Sequence, residues 1–318
     1  MRILGTGSAL PAYTLTNERL TEFLDTSDEW ISTRTGIRSR QVMTTETILD
    51  LAMAAGKSAL ENAGLQAADI DFIICSTVQG DFITPSMACL IQGELGATCG
   101  AMDINGACAG FIYGLDLADA YLKAGKARRI LLVCAEGMSK MVDWTDRSVC
   151  VLFGDGAGAV VLDGGEGVFH SRLTSEGTSV PLRANAYPGN SPFLEKRDCP
   201  LGLYMDGQEV YKFAVSHSLH DIQTVTAEMG LTADDISHYL LHQANKRIVD
   251  AVKARLKQPD EKFPCNVAVR GNTSSASVPI LLDEINRAGS LKKGEKLVLS
   301  AFGAGLTTGA CVIEWTRD

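Results

Sequence analysis

No two cysteines in this chain form a Cys-x-x-Cys pair, although nine are present. They fall at 75, 89, 99, 108, 134, 150, 199, 265 and 311, an odd number at loose spacing. That pattern argues against a zinc ribbon and against a disulfide scaffold. Basic residues are in deficit: 29 Lys and Arg against 38 Asp and Glu leave a net charge of −9. A general nucleic-acid binder carries a basic footprint, so that class is excluded. Long apolar runs are missing too. No stretch approaches the ~20 residues that span a bilayer, and the start MRILGTGSALP lacks the basic and long apolar regions of a signal peptide. Proline is sparse, 9 residues against 31 Gly, and at 46% hydrophobic residues the composition is neither fibrous nor disordered. What remains is a soluble protein expected in a reducing cytosol. Its 318 residues suffice for roughly two domain equivalents of ~150.

Short apolar, β-branched runs (IDFIICSTV, ARRILLVCA, GAVVL) alternate with longer amphipathic segments, and the pattern returns as ISHYLLHQA, EKLVLSA and GACVIEW. Strands interleaved with helices predict an α/β protein with buried sheets. The spacing predicts one helix over 45–63, stopped by Gly64, and another over 219–229, ahead of Gly230. The two halves also register on each other. Gly64-Leu-Gln-Ala-Ala-Asp-Ile70 matches Gly230-Leu-Thr-Ala-Asp-Asp-Ile236 at an offset of 230 − 64 = 166, and 105–137 matches 271–303 at the same offset. Shared strand–turn–helix grammar is the competing explanation. An internal duplication is preferred, with a seam near 163–175 and halves of 1–165 and 166–318.

Cys108 stands apart from the other thiols. It lies in Asn105-Gly-Ala-Cys-Ala-Gly-Phe111, ahead of a largely apolar helix predicted to reach Lys123. Small neighbours suit a nucleophile at a tight strand-to-helix turn, and a helix N-terminus favours thiolate. A buried structural cysteine fits the local sequence equally well. Candidate partners are His242, just after the apolar run Tyr239-Leu240-Leu241, and Asn272 in Arg270-Gly-Asn-Thr-Ser-Ser-Ala-Ser-Val-Pro279. At offset 166, His242 maps to Ser76 and Asn272 to Gly106, positions around the cysteine. His170, His217, His220 and His238 lack such a setting, and no ligand set completes a metal site around His217 and His220. The Gly154-Asp-Gly-Ala-Gly158 run lacks the Lys-Ser/Thr of a P-loop and the G-x-G-x-x-G context, and reads as a tight turn feeding Ala159–Leu162.

Taken together, N-G-A-C-A-G-F, H-Q-A-N-x-R-I, G-N-T-S-S-A-S-V-P, L-F-G-D-G-A-G-A and A-F-G-A-G resemble the β-ketoacyl-acyl-carrier-protein synthase III family of thiolase-fold condensing enzymes. The resemblance runs from Gly5-Thr-Gly to the C-terminal strand. It implies a thiolase-like, duplicated five-layer αβαβα fold and a homodimer. It also implies a decarboxylative Claisen condensation of an acyl-CoA primer with malonyl-acyl carrier protein, initiating fatty acid biosynthesis in the cytoplasm. By motif, Cys108 is the acyl-accepting nucleophile and His242 and Asn272 its partners, with backbone N–H groups of Cys108 and Ala304 as the oxyanion hole. The two thioesters are substrates; no metal or redox cofactor is implied, and neither nucleic acid nor membrane is a partner.

The Asp28–Ile37 segment resembles the family's entrance motif, which places CoA on Trp30 and Arg147 (sandwiching adenine), Arg34 (phosphate), and Gln208 and Asn245 (the pantetheine arm). Lys212, Lys246, Arg247 and Lys253 are the expected basic rim for an acidic carrier protein. Three positions depart from the pattern. Ala304 replaces a usual Gly and restricts access to positive φ. Thr308 stands where Trp is frequent. Thr84 stands where some members place an aromatic that closes the partner subunit's primer pocket, so a longer or branched primer is expected. The alternative within the superfamily is a starter-loading condensing enzyme of secondary metabolism, in a polyketide or quinolone-like pathway. Non-decarboxylating thiolases, a non-catalytic lipid carrier and a cysteine hydrolase fit the Cys-His-Asn set less well.

Overall fold

The computed structural model describes residues 1–186, 192–193 and 202–318. The first half carries strands β1 (Arg2–Ala9), β2 (Thr14–Thr16), β3 (Ser39–Gln41), β4 (Phe72–Ser76), β5 (Gly100–Ile104), β6 (Arg129–Gly137) and β7 (Asp155–Asp163). Its helices are α1 (Asn17–Leu20), α2 (Asp28–Thr35), α3 (Ile48–Ala63), α4 (Met87–Leu95) and α5 (Gly110–Lys123). Strands β8 (Phe169–Thr178), β9 (Leu182–Ala184), β10 (Leu203–Met205), β11 (His238–Leu241), β12 (Lys296–Gly303) and β13 (Gly305–Glu314) follow. Interleaved with them are α6 (Gly207–Glu228), α7 (Lys246–Leu256), α8 (Val267–Arg270) and α9 (Ser277–Arg287).

The predicted helix over 45–63 is α3. Thr47 and Asp50 close a capping box at its start, and Gly64 ends it at φ 66°. The one predicted over 219–229 is nearly the last half of α6, which begins at Gly207 because Asp206 caps the Gln208 and Glu209 N–H groups.

Two sheets carry the architecture. One has the order β1-β7-β6-β4-β5, the other β8-β13-β12-β11. Within each, β4 with β6 and β11 with β12 pair parallel, whereas β6–β7, β7–β1, β12–β13 and β13–β8 pair antiparallel. Helices α5 and α9 pack between the sheets, α3 and α4 cover the outer face of the first, and α6 and α7 lie outside the second. The result is five layers, αβαβα. The central apolar cluster draws on both sheets and both middle helices, through Phe111, Ile112, Leu115, Ile280, Leu281, Leu299 and others. A fourth cluster, around Ile31, Ile37, Val149 and Phe153, ties the α1–α2 region to the rim of the site.

The repeat is visible in the turns, with one adjustment. The short turns before β4 and β11 are related by 233 − 67 = 166 residues. The turns before α5 and α9, Ala107–Ala109 and Ser274–Ala276, are related by 274 − 107 = 167. One residue enters between β11 and α9, so Asn272 corresponds to Asn105 and not to Gly106. The hydrogen bonds agree: Asn105 Oδ1 accepts from Ala107 N at 3.0 Å, and Asn272 Oδ1 accepts from Ser274 N at 2.9 Å. Ala107 and Ser274 also share a left-handed backbone, φ 48° and 51°.

The glycine-rich run at 154–158 is not a turn. Residues 155–158 are already part of β7, whose other face meets α9; a Cβ on Gly158 would lie 2.8 Å from the Ile280 nitrogen and from Pro279. Its glycines admit a helix at close range, which is why they look like a loop in the sequence.

Candidate active site

Strand β5 ends at Ile104, and the chain turns sharply through Ala107–Ala109 before α5 begins at Gly110. Cys108 therefore sits just ahead of the helix rather than in its first turn. The opposite wall is Phe302-Gly303-Ala304-Gly305, the end of β12 and the start of β13, and it lies against Cys108. A Cβ at Gly303 would be 2.6 Å from the Cys108 nitrogen, so only glycine permits this approach. Cys108, His242 and Asn272 all line one cavity of about 1050 Å³, which runs out past Trp30, Arg34 and Arg247 to the surface.

Burial pushes the Cys108 thiol up to about 12; contact with Ser274 opposes the shift, and the charge of Glu136 adds to it. Desolvation thus opposes the thiolate that a helix start favours. His242 is 2% exposed, and burial holds its imidazole down to about 3. Its backbone N–H donates to Ser300 O at 2.8 Å, continuing the β11–β12 ladder, and its ring meets Phe302 edge-on at 5.1 Å. Nδ1 lies 2.6 Å from Ser277 Oγ, which also accepts from Gln243 N at 3.3 Å. The Ser277 proton is thereby directed to Nδ1, and we assign the ring hydrogen to Nε2 on that network.

Asn272 is 6% exposed and held between halves: its N–H donates to Leu152 O (2.8 Å), and its carbonyl accepts from Gly154 N (3.0 Å). Because Oδ1 takes the Ser274 N–H, the amide orientation is set and Nδ2 is left as the donor toward the cavity. The cavity thus holds a neutral ring N–H, an amide N–H and the Cys108 thiol. Glu136, 1% exposed, is pinned behind them. Its Oε1 accepts from Ser275 Oγ (2.6 Å) and Ser274 Oγ (3.1 Å), and Oε2 accepts from Val78 N (3.0 Å). Burial raises its carboxyl to about 7. Sequence reasoning missed Glu136, Ser274, Ser277 and Gly303. The available signal for the first was a carboxylate closing the apolar run Ile130–Ala135.

Of the departures, Ala304 lines the cavity without strain, since positive φ among the described non-glycine residues is confined to Ala107, Lys257 and Ser274. Thr308 faces away from the cavity. It is 1% exposed, pairs with Thr174 Oγ1 at 2.5 Å, and does not line the cavity, whereas Thr307 does and hydrogen-bonds Gly106 O at 3.0 Å. Strand alternation puts the two on opposite faces. Thr84 is exposed on the loop before α4, beside Ile83 (100% exposed) and Phe82 (60%), away from this chain's own cavity.

At the mouth, the guanidinium carbons of Arg34 and Arg147 lie 4.7 and 5.2 Å from the Trp30 ring centroid. A base sandwiched between Trp30 and Arg147 needs roughly 7 Å, two van der Waals contacts, so Arg147 has to withdraw from the ring and from Asp25, which it also contacts. Gln208 lines the cavity at the start of α6. Asn245 lines it too, but caps α7 through Oδ1 and donates to Arg34 O at 3.2 Å, which leaves one amide hydrogen for a ligand. The basic rim is largely internally compensated. Lys212 pairs with Glu209 (2.7 Å), Lys246 with Asp250 (2.7 Å), and Lys253 with Asp250 (3.3 Å) and Asp260 (2.5 Å). Arg247 pairs with no carboxylate among the described residues and lies 5.8 Å from the Tyr211 ring centroid.

Two family models match: 3-oxoacyl-[acyl-carrier-protein] synthase III over residues 102–177, and the C-terminal part of the same family over 226–315. A β-ketoacyl-[acyl-carrier-protein] synthase III of Caldanaerobacter subterraneus subsp. tengcongensis is 45% identical over 99% of this chain and 98% of its own. Among solved structures, the 3-oxoacyl-[acyl-carrier-protein] synthase III of Aquifex aeolicus superposes with a TM-score of 0.93 at 41% identity, covering 99% of both chains. The priming β-ketosynthase of the R1128 polyketide pathway gives 0.92 at 34% identity, covering 99% of this chain and 96% of its own.

Proposed function

Because the chain belongs to the β-ketoacyl-acyl-carrier-protein synthase III family, a group of condensing acyltransferases of fatty acid biosynthesis, we propose that Cys108 is its acyl-accepting nucleophile and that His242 and Asn272 drive decarboxylation. The Cys108 sulfur attacks an acyl-CoA thioester and CoA leaves. Malonyl thioester on the acyl carrier protein then loses CO2, and the enolate oxygen takes hydrogen bonds from His242 Nε2 and Asn272 Nδ2. The enolate carbon attacks the acyl-Cys108 carbonyl, whose oxygen sits near the Cys108 and Ala304 N–H groups. Loss of one such donor costs ~3–4 kcal/mol in other enzymes.

The observation that carries this reading is the fixed donor pair. Asn272 has its acceptor occupied by Ser274 N, and His242 is held neutral by burial. Both offer N–H to a developing negative charge, and neither brings one. The entrance residues Trp30, Arg34, Arg147, Gln208 and Asn245 are assigned to CoA, and Lys212, Lys246, Lys253 and above all Arg247 to the carrier protein. We further assign the protein to the cytoplasm as a homodimer of chains with halves 1–165 and 166–318, in which Thr84 reaches the partner's primer pocket. Supporting this, Phe82 and Ile83 are exposed beside Thr84, and no helix among the described residues is long and apolar enough to cross a membrane.

The test is incubation with acyl-CoAs from C2 to C10, linear and branched, read by intact mass. One acyl adduct is expected, absent in Cys108→Ala, and discharged as a β-ketoacyl product on adding malonyl-acyl carrier protein. His242→Ala should still acylate but no longer release CO2. An adduct that survives Cys108→Ala, or equal loss of both steps in His242→Ala, overturns the assignment.

A further inference from the structure

Something has to take the Cys108 proton, and His242 is poorly suited to do it. Its imidazole is buried, with Nδ1 engaged by Ser277 and Nε2 carrying the hydrogen that the later step needs. On the other side of the sulfur lies a different path. The turns carrying Cys108 and Ser274 pack together, and both residues line the cavity. Ser274 Oγ is 3.1 Å from Glu136 Oε1, and Ser275 Oγ holds the same oxygen at 2.6 Å. The Val78 N–H, at 3.0 Å, fixes the second oxygen. A carboxyl so buried, with a donor at every contact, can hold a proton or release it inside the protein.

We propose that Glu136 stores the proton that Cys108 gives up on acylation, receiving it through the Ser274 hydroxyl. Cys108 S–H passes its hydrogen to Ser274 Oγ as the Ser274 hydrogen moves to Glu136 Oε1. The sulfur lone pair forms the new C–S bond, the old C–S bond to CoA breaks, and the CoA thiolate takes a proton from solvent. When the enolate later expels Cys108 as thiolate, Glu136 returns its proton along the same path. One solvent proton is consumed per turnover, on CoA, as the condensation requires. A second effect follows: the acyl-enzyme carries Glu136 neutral, so no carboxylate lies behind Asn272 while the enolate charge develops. Glu136 touches no substrate and acts through Ser274.

The titratable groups facing Glu136 are thiols: Cys75 from β4, Cys108 from the turn before α5 and Cys134 from its own strand. Cys75 and Cys134 are fully buried, and burial pushes both further up than their usual value, so neither competes for the proton in the neutral range. Burial raises the Glu136 carboxyl to about 7, against about 12 for the Cys108 thiol, so the transfer runs uphill and is completed only as the C–S bond forms.

This inference rests on Cys108 as the nucleophile but not on the identity of its substrate, so the probe is iodoacetamide, with alkylation at Cys108 read by intact mass from pH 5 to 10. The wild-type rate should rise through the neutral range and level off. In Glu136→Gln and in Ser274→Ala the inflection should vanish, with a rate roughly 10²-fold lower at pH 7. A wild-type profile in either variant overturns the path. Should a variant lose its cooperative thermal transition, infrared difference spectra of the wild type decide. The acyl-enzyme formed with the reactive acyl-CoA should show a new carboxylic-acid C=O band, and its absence overturns the storage step. Failure of every acyl-CoA would sink the substrate assignment while leaving the alkylation profile to decide this one.

Discussion

The Ser277 hydroxyl meets two groups at once, the Gln243 N–H and the His242 ring, and so governs where the imidazole keeps its hydrogen. Removing it leaves a buried ring nitrogen unpaired, at about 1–3 kcal/mol. Ser277→Ala should therefore lose roughly 10- to 100-fold in CO2 release from malonyl thioester, with acylation of Cys108 close to wild type; a proportionate loss in both steps would show that Ser277 serves the fold alone. Cys108, His242 and Asn272 were each legible in the sequence because small or amide-rich neighbours set them apart from ordinary core residues. Ser277 and Glu136 were not. Their meaning comes from partners far away in sequence, Gln243 for one and Ser274 and Ser275 for the other, and from a burial that no local pattern announces. Thr308 shows how little a motif position says of placement: one step along the strand from Thr307, it faces away from the cavity.

At the scale of elements, the β12–β13 connection has to fit against the turn before α5. Gly303→Ala puts a Cβ 2.6 Å from the Cys108 nitrogen, and backbone, unlike a flexible side chain, cannot step aside. Acylation should be nearly abolished while the far-ultraviolet spectrum is retained. Ala304→Gly, one residue on, relieves no strain because Ala304 has no positive φ; it should leave turnover close to wild type and lower stability by about 0.5–1 kcal/mol, through the freer unfolded chain. Stopped acylation kinetics and a thermal melt separate the two. Helix ends were well marked where local signals act, as at Gly64, the left-handed cap of α3, and where the apolar pattern runs out at Lys123, the last residue of α5. The glycines of β7 misled because a helix from the other half, and not a bend of their own, required them. The offset of 166 had to become 167 in the turns because an inserted residue between β11 and α9 alters no pattern that sequence matching reads.

The whole molecule contains two buried groups that titrate in opposite senses. His242 is held neutral down to about 3, while an unfolded histidine takes a proton near 6.5; its contribution to stability is present above that value and lost as pH falls. Glu136 stays protonated up to about 7, while an unfolded Glu ionises near 4.5; its contribution is present at low pH and lost as pH rises toward 7. Between about 4.5 and 6.5 the two slopes, each ~1.4 kcal/mol per pH unit, largely cancel. His242→Gln should uncover a protein that grows less stable from pH 5 to 6.5, and Glu136→Gln one that grows more stable over the same range. Denaturant titrations at those two pH values test both, and parallel curves for the variants and the wild type would refute the balance.

Cys108 and its proposed partners lie far apart along the chain, with Asn272 a further 272 − 108 = 164 positions on and Gly303 later still. A ribosome therefore delivers the sulfur long before the groups that make it useful. A nascent chain holding residues 1–165 has the thiol but neither the imidazole, nor Ser274 as an outlet for its proton, nor the wall that Gly303 brings up. On the proposed mechanism, reactivity toward thioesters therefore waits until synthesis is nearly finished and the second sheet has docked, and an unfinished copy is expected to be chemically quiet.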